Sequence, residues 1–447
     1  MIGKKAIAML AAGVMAVGLT TPAGAIAGMD AGLALTLGGA QAVIDTSMSE
    51  SGMTPPLQDS KSIGFYGLEK TVRTNNQTIQ SLQKTLASVG STDVVGPIED
   101  QIWNYQMQNS NLEAQKNSYT ESANNLQKQL DSLGSDADEG LKSSLQAQID
   151  QMNTLANNAA ASIQKNNAVI SGLEDSKDDA PADLADTYAT TEKQVENSAN
   201  QIVMGAQTQY ISLCTMQDNI EALDRTIAAI DRQLPVVEKQ YEIGMATALD
   251  VEDLKNQRAA AVSSKLTLEN QIASIENSLS LTLGNDAGTT VHVQKVPEVT
   301  DRQLREMNYE KDLEEAKTNS YTIWQKRDAL RKASNDYEDD VTSTLDAYNA
   351  AKIDLAAAQE QVENDFRKLF NDVSEKKRLL DKAESDLELA ESNYKVAETK
   401  YEKGMISKLE YENAQDTLET AKAAITTAQT DLFTAYNTYD WAKRGVM

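Results

Sequence analysis

The amino-acid sequence predicts an all-α protein made of long antiparallel coiled-coil hairpins, with an extra helical hairpin and little or no β-structure. Apolar residues recur at alternating intervals of three and four over long stretches, which is the heptad pattern of coiled coils. The segment 238–252 is repeated, with changes, at 398–412. Aromatic residues make up only 5% of the chain, a composition that suits helices packed along narrow seams.

The N-terminal 25 residues have the order of a secretory signal peptide. Lys4 and Lys5 form a basic region, residues 6–19 are almost wholly small or apolar, and residues 23–25 read Ala-Gly-Ala. The alternative is an N-terminal membrane anchor, for which the apolar run is short. We therefore expect residues 1–25 to be removed and the protein to be exported.

The charge of the chain excludes nucleic acid as a partner. The formal net charge is −26 at pH 7, so the protein repels a phosphate backbone. Acidic and basic residues are mixed along the sequence instead of gathered in one tail. That mixture is typical of the solvated faces of coiled coils.

The repeated segments identify two related helical hairpins. EKQYEIGMATALDVE at 238–252 and ETKYEKGMISKLEYE at 398–412 share seven of fifteen residues, at an offset of 160. An apolar seam with heptad spacing precedes each copy, from Ile220 to Tyr241 and from Leu380 to Tyr401. Because the two repeats share this register, we expect them to pack side by side.

A second pair of similar segments shows that the first repeat is longer than the second. TNNQTI at 74–79 resembles TNSYTI at 318–323, and most of the additional chain lies in 91–189. GSDADEG at 134–140 is a turn signal inside it, and DSKDDAPAD at 175–183 is predicted to end its return helix. Residues 330–365 read as continuous helix, with 340–344 as the only plausible bend. The predicted organisation is a signal peptide at 1–25, a first repeat at 62–90 and 190–291, an inserted helical hairpin at 91–189, an extended connector at 292–307 and a second repeat at 308–447.

The repeated motif encodes a helix, a tight turn and a second helix. A glycine closes the first helix because it tolerates positive φ. A hydroxyl residue followed three positions later by a carboxylate forms a capping box for the second helix. The residues in these roles are Gly244, Thr247 and Asp250 in the first copy and Gly404, Ser407 and Glu410 in the second. The motif either builds turns alone or also docks a partner.

The tips and their flanking heptads resemble the TolC-like outer-membrane efflux family. The pattern Tyr-x-x-Gly-x-x-Thr/Ser-x-x-Asp/Glu before an Ala- and Leu-rich helix is characteristic of that family's repeat. The similarity covers roughly 62–90, 190–299 and 308–444. It implies a homotrimer whose hairpins form a hollow helical tunnel, and tips that meet a periplasmic adaptor (membrane-fusion) protein of an efflux or secretion system. It also implies a location in the cell envelope, at the outer membrane or facing the periplasm. Carried over to this chain, the partner-binding positions are Tyr241, Gly244, Thr247, Leu249, Tyr401, Gly404, Ser407 and Leu409.

The sequence departs from the family in one respect. Family members place two pairs of strands per chain in the outer membrane, which requires segments of alternating polarity. We find helical patterns at both corresponding places, so membrane contact stays open. The alternative to a conduit is a structural or binding coiled coil of the cell envelope without transport.

An enzyme is not expected. The sequence has no Gly-rich phosphate loop, nucleophile elbow or metal-ligand spacing, so no metal or other cofactor is predicted. The only cysteine, Cys214, lies in a helical pattern and is interpreted as a packed core residue. The only histidine, His292, has no second histidine or nearby cysteine with which to bind zinc.

Overall fold

The structure of the chain is a computed structural model that describes residues 61–286, 289–339 and 341–447. The predicted signal peptide lies outside the described residues. In chain order the elements are β1 (Lys61–Ile63), α1 (Phe65–Asn75), α2 (Gln77–Gly90), α3 (Gly96–Ser132), α4 (Glu139–Glu242), α5 (Ala248–Thr282), β2 (Val291–Val293), α6 (Asp301–Glu306), α7 (Tyr309–Asn319), α8 (Tyr321–Asn335), α9 (Thr342–Glu402) and α10 (Lys408–Lys443). The predicted all-α fold class is confirmed, because only two three-residue strands occur in the described part of the chain.

The described residues divide into two compact units. One is Ser88–Ala189, and the other comprises residues 61–87 together with Thr190–Met447. None of the helices in the described ranges combines the length and the apolar character that a membrane span needs.

The unit Ser88–Ala189 is a two-stranded antiparallel coiled coil of α3 and the N-terminal part of α4. The side chains that are withdrawn from solvent alternate at intervals of three and four on both helices. On α3 this seam consists of Ile102, Tyr105, Asn109, Leu112, Lys116, Tyr119, Ala123, Leu126 and Leu130; on α4 it consists of Leu145, Ile149, Met152, Ala156, Ala159, Ile163, Asn166, Ile170 and Leu173.

The prediction that 175–183 ends the return helix is wrong. Helix α4 continues without a break from Glu139 to Glu242, through Pro181. A proline inside a helix removes one hydrogen bond and costs about 3 kcal/mol. The seam nevertheless continues past it, since Ala180 is buried and Leu184 is half-buried. Packing along the seam therefore outweighs the local helix-breaking signal.

The second unit has a core in which its strands, short helices and long helices meet. The buried side chains include Phe65, Leu68, Leu213, Leu279 and Trp441. β1 and β2 pair in parallel beside them, with Ser62 opposite His292. Cys214 is 5% exposed in the same core, which confirms its interpretation as a packed residue.

The connector 292–307 is extended only in part, so its prediction needs correction. It contains most of β2 and the one-and-a-half-turn helix α6. Thr300 caps α6 by accepting from the amide of Gln303, whose side-chain oxygen accepts from the Thr300 amide at 2.8 Å. This capping box gives the helix its start.

The prediction of continuous helix over 330–365 is also wrong. α8 ends at Asn335 and α9 begins at Thr342. The break between the helices therefore starts earlier than the predicted bend at 340–344, and most of that segment belongs to α9. The hydroxyl of Thr344 donates to the carbonyl of Val341 at 2.8 Å and accepts from the amide of Glu338 at 3.1 Å. A side chain inside the new helix thus stabilises the turn that precedes it.

The two TNxxTI segments mark equivalent breaks between short helices. α1 ends and α2 begins around Asn76, whose side-chain oxygen accepts from the amide of Ile79 at 3.1 Å. α7 ends and α8 begins around Ser320, whose hydroxyl accepts from the amide of Ile323 at 3.3 Å. Both isoleucines are almost fully buried, at 1% and 0% exposed. Each segment is therefore an N-cap that anchors the following helix in the core.

Candidate partner-binding site

The first hairpin tip joins α4 to α5 through a closed turn. Gly244 has φ of +78°, and its amide donates to the carbonyl of Tyr241 at 3.0 Å. The amide of Met245 donates to the carbonyl of Gln240 at 2.7 Å. This pair of bonds around a left-handed glycine is the Schellman arrangement, which satisfies the last carbonyls of a helix.

The second tip repeats this geometry between α9 and α10. Gly404 has φ of +69°, its amide donates to the carbonyl of Tyr401 at 2.9 Å, and the amide of Met405 donates to the carbonyl of Lys400 at 2.8 Å. A Cβ placed on either glycine would meet nothing within 4 Å. Positive φ, and not lack of space, is therefore what requires glycine at both tips.

Capping boxes begin the helix that follows each turn. The Thr247 hydroxyl accepts from the amide of Asp250 at 3.2 Å, and the Asp250 carboxylate accepts from the amide of Thr247 at 2.7 Å. Ser407 and Glu410 make the same two bonds at 3.2 and 2.7 Å. The backbone hydrogen bond from the capping residue lowers the pKa of each carboxyl group. Both carboxylates therefore remain ionised at the positive ends of the helices.

Several apolar side chains at the tips face solvent. Met245 is 75% exposed and Met405 is 69% exposed. Among the predicted positions, Leu249 is 67% exposed, whereas Leu409 is half-buried. In each copy the predicted tyrosine lies in the last turn of the first helix, the glycine in the connecting turn and the leucine in the first turn of the second helix. Thr247 and Ser407 are the N-caps of the second helices.

The methionines are the tip residues that the prediction of the site left out. Their signal was in the sequence, because Met245 and Met405 are identical in the two copies. Their exposure could not be read from the heptad pattern, since each methionine lies outside the seam, directly after the glycine.

The second tip carries an aromatic cluster that the first lacks. The rings of Tyr401 and Tyr411 are stacked at 4.8 Å with an interplanar angle of 8°. The hydroxyls of Tyr394 and Tyr411 lie 2.6 Å apart, and this hydrogen bond raises the pKa of Tyr411 to about 12. The equivalent positions of the first copy hold Leu234 and Val251. The two tips therefore share a backbone but present different side-chain surfaces.

Ion pairs hold the helices behind the tips in place. In the first hairpin, Arg258 of α5 donates to Asp231 of α4 at 2.6 Å. In the second, Lys376 of α9 lies 3.0 Å from Asp431 of α10. Arg232 of α4 pairs with Asp416 of α10 and so links the two hairpins. Because these pairs are at the surface, each adds little to the free energy of unfolding. Their role is to orient the paired helices relative to each other.

Comparisons with known proteins return solved structures of bacterial outer-membrane proteins. No family model matches the chain, and no curated protein matches it. The outer membrane protein VceC from Vibrio cholerae has a TM-score of 0.44 and 15% identity, over 61% of this chain and 76% of that chain. The outer-membrane channel OprN has a TM-score of 0.44 and 11% identity, over 86% and 90%. A membrane protein from Pseudomonas aeruginosa has a TM-score of 0.41 and 12% identity, over 85% and 92%.

Two of these three proteins are described as outer-membrane proteins. At identities of 15% or less, function has to be argued from the residues of this chain.

Proposed function

We propose that the chain is an exported component of a helical conduit for efflux or secretion, which docks a periplasmic adaptor through its two hairpin tips. The observation that carries the proposal is the duplicated Gly-Met turn with its exposed methionine. Chain reversal requires the glycine and the caps, but it does not require Met245 and Met405 to be kept in solvent. Methionine adapts its shape to an apolar partner and is common at binding surfaces.

Besides the tips, an exposed apolar stripe on α9 supports assembly with further copies of the chain. Leu379, Leu389 and Val396 are 43%, 62% and 51% exposed. They lie ten and seven residues apart, so they share one side of a helix in heptad register. The buried seam of the same helix uses other residues, such as Phe366 and Leu380. We infer that the stripe packs against a helix of a neighbouring copy, and a homotrimer is the assembly that the family resemblance implies.

The alternative function is a structural or binding coiled coil of the cell envelope that transports nothing. The seams, ion pairs and exposed stripe suit both functions equally well. The paired tips favour the conduit, because a scaffold has no need to expose a methionine at both turns. The absence of a catalytic constellation in the sequence is consistent with both.

The tips are tested by removing their methionines. The double variant Met245→Asp, Met405→Asp leaves the glycines and caps unchanged, so circular dichroism should match the wild type. Binding to a periplasmic adaptor protein identified by co-purification with the wild type, measured by biolayer interferometry, should weaken by about tenfold or more because burying an unpaired carboxylate is costly. Met107→Asp is the matched control, since Met107 is 48% exposed in the unit Ser88–Ala189.

Wild-type affinity in the double variant would show that the tips are turns only. Deletion of the gene with no loss of export, together with normal adaptor binding by the variant, would favour the non-transporting coiled coil.

A further inference from the structure

A cavity of about 320 Å³ lies between α1, α4, the junction of α7 and α8, and the chain after α10. Its lining includes three cationic side chains, those of Arg73, Lys193 and Arg444. The volume falls at the small end of the range of about 300–1,000 Å³ that is typical of ligand sites. It is separate from the hairpin tips and has no part in the function proposed above.

The cationic groups of the cavity are already neutralised by carboxylates. The Nε of Arg73 lies 2.9 Å from Glu69, and the Nη1 of Arg444 lies 3.0 Å from the other oxygen of Glu69. Arg444 also pairs with Asp440 at 2.9 Å. Because these partners compensate the positive charge, the cavity is poorly suited to capture a free anion. The same bonds hold both guanidinium groups in fixed orientations.

The charge of Lys193 is also neutralised by a carboxylate. Its ammonium group lies 3.1 Å from the carboxylate of Glu196, which is itself part of the lining. The remaining polar side chains of the lining are two hydroxyl groups, those of Thr318 and Tyr321, and three amides, all of which can donate and accept hydrogen bonds. The amides of Asn197, Asn200 and Asn319 come from two different elements. The Asn200 side-chain oxygen is oriented by Arg73, whose Nη2 lies 2.5 Å away.

An aromatic pair forms one wall of the cavity. Tyr321 and Trp324 are stacked at 6.0 Å with an interplanar angle of 13°. Both line the cavity, and both are half-buried. The hydroxyl of Tyr321 accepts from Gln325 at 2.9 Å, which fixes that ring. The wall is therefore apolar on its ring faces and polar at its edge.

We propose that this cavity binds a neutral sugar unit of a glycan chain. A sugar ring has an apolar C–H face that packs on an aromatic side chain, and hydroxyl groups that donate and accept at its edge. Trp324 supplies the first contact, and the amides of Asn197 and Asn200 supply the second. The Asn200 amide is already held by Arg73, and a group that is fixed before binding loses little entropy when a ligand binds.

The test uses the full chain and three soluble probes: the tetramer of N-acetylglucosamine, cellotetraose and maltotetraose. Isothermal titration calorimetry should detect binding of at least one of them to the wild type. Trp324→Ala removes the stacking face, and Asn197→Phe fills the cavity with a bulky side chain. Each should weaken binding by about tenfold or more. Trp103→Ala is the matched control, because Trp103 is 60% exposed on the other unit and should leave affinity unchanged.

Three results would overturn the proposal. The first is that none of the probes binds the wild type. The second is that both cavity variants, with normal circular dichroism, bind as the wild type does; if Trp324→Ala fails to fold, Asn197→Phe decides alone. The third is that only inorganic phosphate binds, with loss of affinity in Arg73→Gln, which would identify an anion site instead.

Discussion

Gly445, whose φ is +85°, lies directly against the backbone carbonyl of Asn319. A Cβ at Gly445 would overlap that carbonyl oxygen and lie 2.7 Å from the amide nitrogen of Ser320. Gly284 has the same relationship to Asn75 in the first repeat, with φ of +75° and a Cβ position 2.9 Å from the carbonyl carbon. In both repeats, a glycine at the end of the last long helix therefore packs on the break between two short helices.

Alanine at these glycines should be far more damaging than alanine at the tips. Gly284→Ala and Gly445→Ala combine left-handed strain with steric overlap, so each should destabilise the second unit by about 3 kcal/mol or more. Gly244→Ala and Gly404→Ala meet no neighbouring atom and should cost about 1–2 kcal/mol from strain alone. Urea unfolding followed by tryptophan fluorescence measures the difference. Equal losses at all four positions would contradict the packing role of Gly284 and Gly445.

A buried carboxylate should make the second unit sensitive to acid. Asp312 is 2% exposed and accepts hydrogen bonds from the hydroxyl of Tyr439, from the amide of Asn308 at 2.9 Å and from Lys443 at 3.1 Å. Burial alone would raise the pKa of Asp312, but these hydrogen bonds outweigh it and lower the pKa below the ordinary value of 3.8. The stability that the carboxylate contributes is therefore present above that value and is lost as pH falls through the lowered pKa.

Replacement of this carboxylate tests its contribution. Asp312→Asn should destabilise the unit at pH 7 by about 3 kcal/mol or more, because Lys443 loses a buried partner. The difference between wild type and variant should shrink below pH 4. Thermal unfolding from pH 7 to pH 2.5 provides the comparison, with exposed Asp150→Asn as the control. A difference that stays constant with pH would show that Asp312 acts through packing instead of charge.

The sequence was sufficient for features that depend on short spacings. The heptad intervals predicted the seams, and the order of tyrosine, glycine and hydroxyl residue predicted both tips. The helix end predicted at 175–183 is wrong because a proline in the sequence does not show whether packing of the helix outweighs the proline's cost. The contacts of the core could not be predicted for a related reason. The indole of Trp441 donates to Gln207 at 2.6 Å, and the two residues are 234 positions apart in the chain. No periodic pattern connects two residues at that separation.

The exposed stripe on α9 should control self-association. Leu389→Lys and Val396→Lys place charges where we infer that a neighbouring helix packs, so the double variant should be shifted towards monomer. The effect should amount to about 2–4 kcal/mol per assembly contact, because each lysine would be desolvated without a partner. Light scattering after size exclusion measures the mass, and Trp103→Lys serves as the control. If the wild type is itself monomeric at high concentration, the stripe does not mediate assembly.

A polar pair in the coiled coil of the unit Ser88–Ala189 should fix its register. The side chain of Asn166 donates to the Asn109 oxygen at 2.9 Å, in a seam that is otherwise mostly apolar. An asparagine in such a position reduces stability but disfavours shifted pairings, in which it would face an apolar side chain. Replacing both with leucine should therefore raise the unfolding midpoint while loosening the alignment of the helices. The alignment is measured with two cysteine variants, one with cysteines at Ala123 and Ile149 and one with cysteines at Ala123 and Met152. The disulfides that form under air oxidation are then compared. The wild-type background should give one dominant product, and the leucine variant a mixture. A single product in both backgrounds would show that the turn between α3 and α4 sets the register without help from the asparagines.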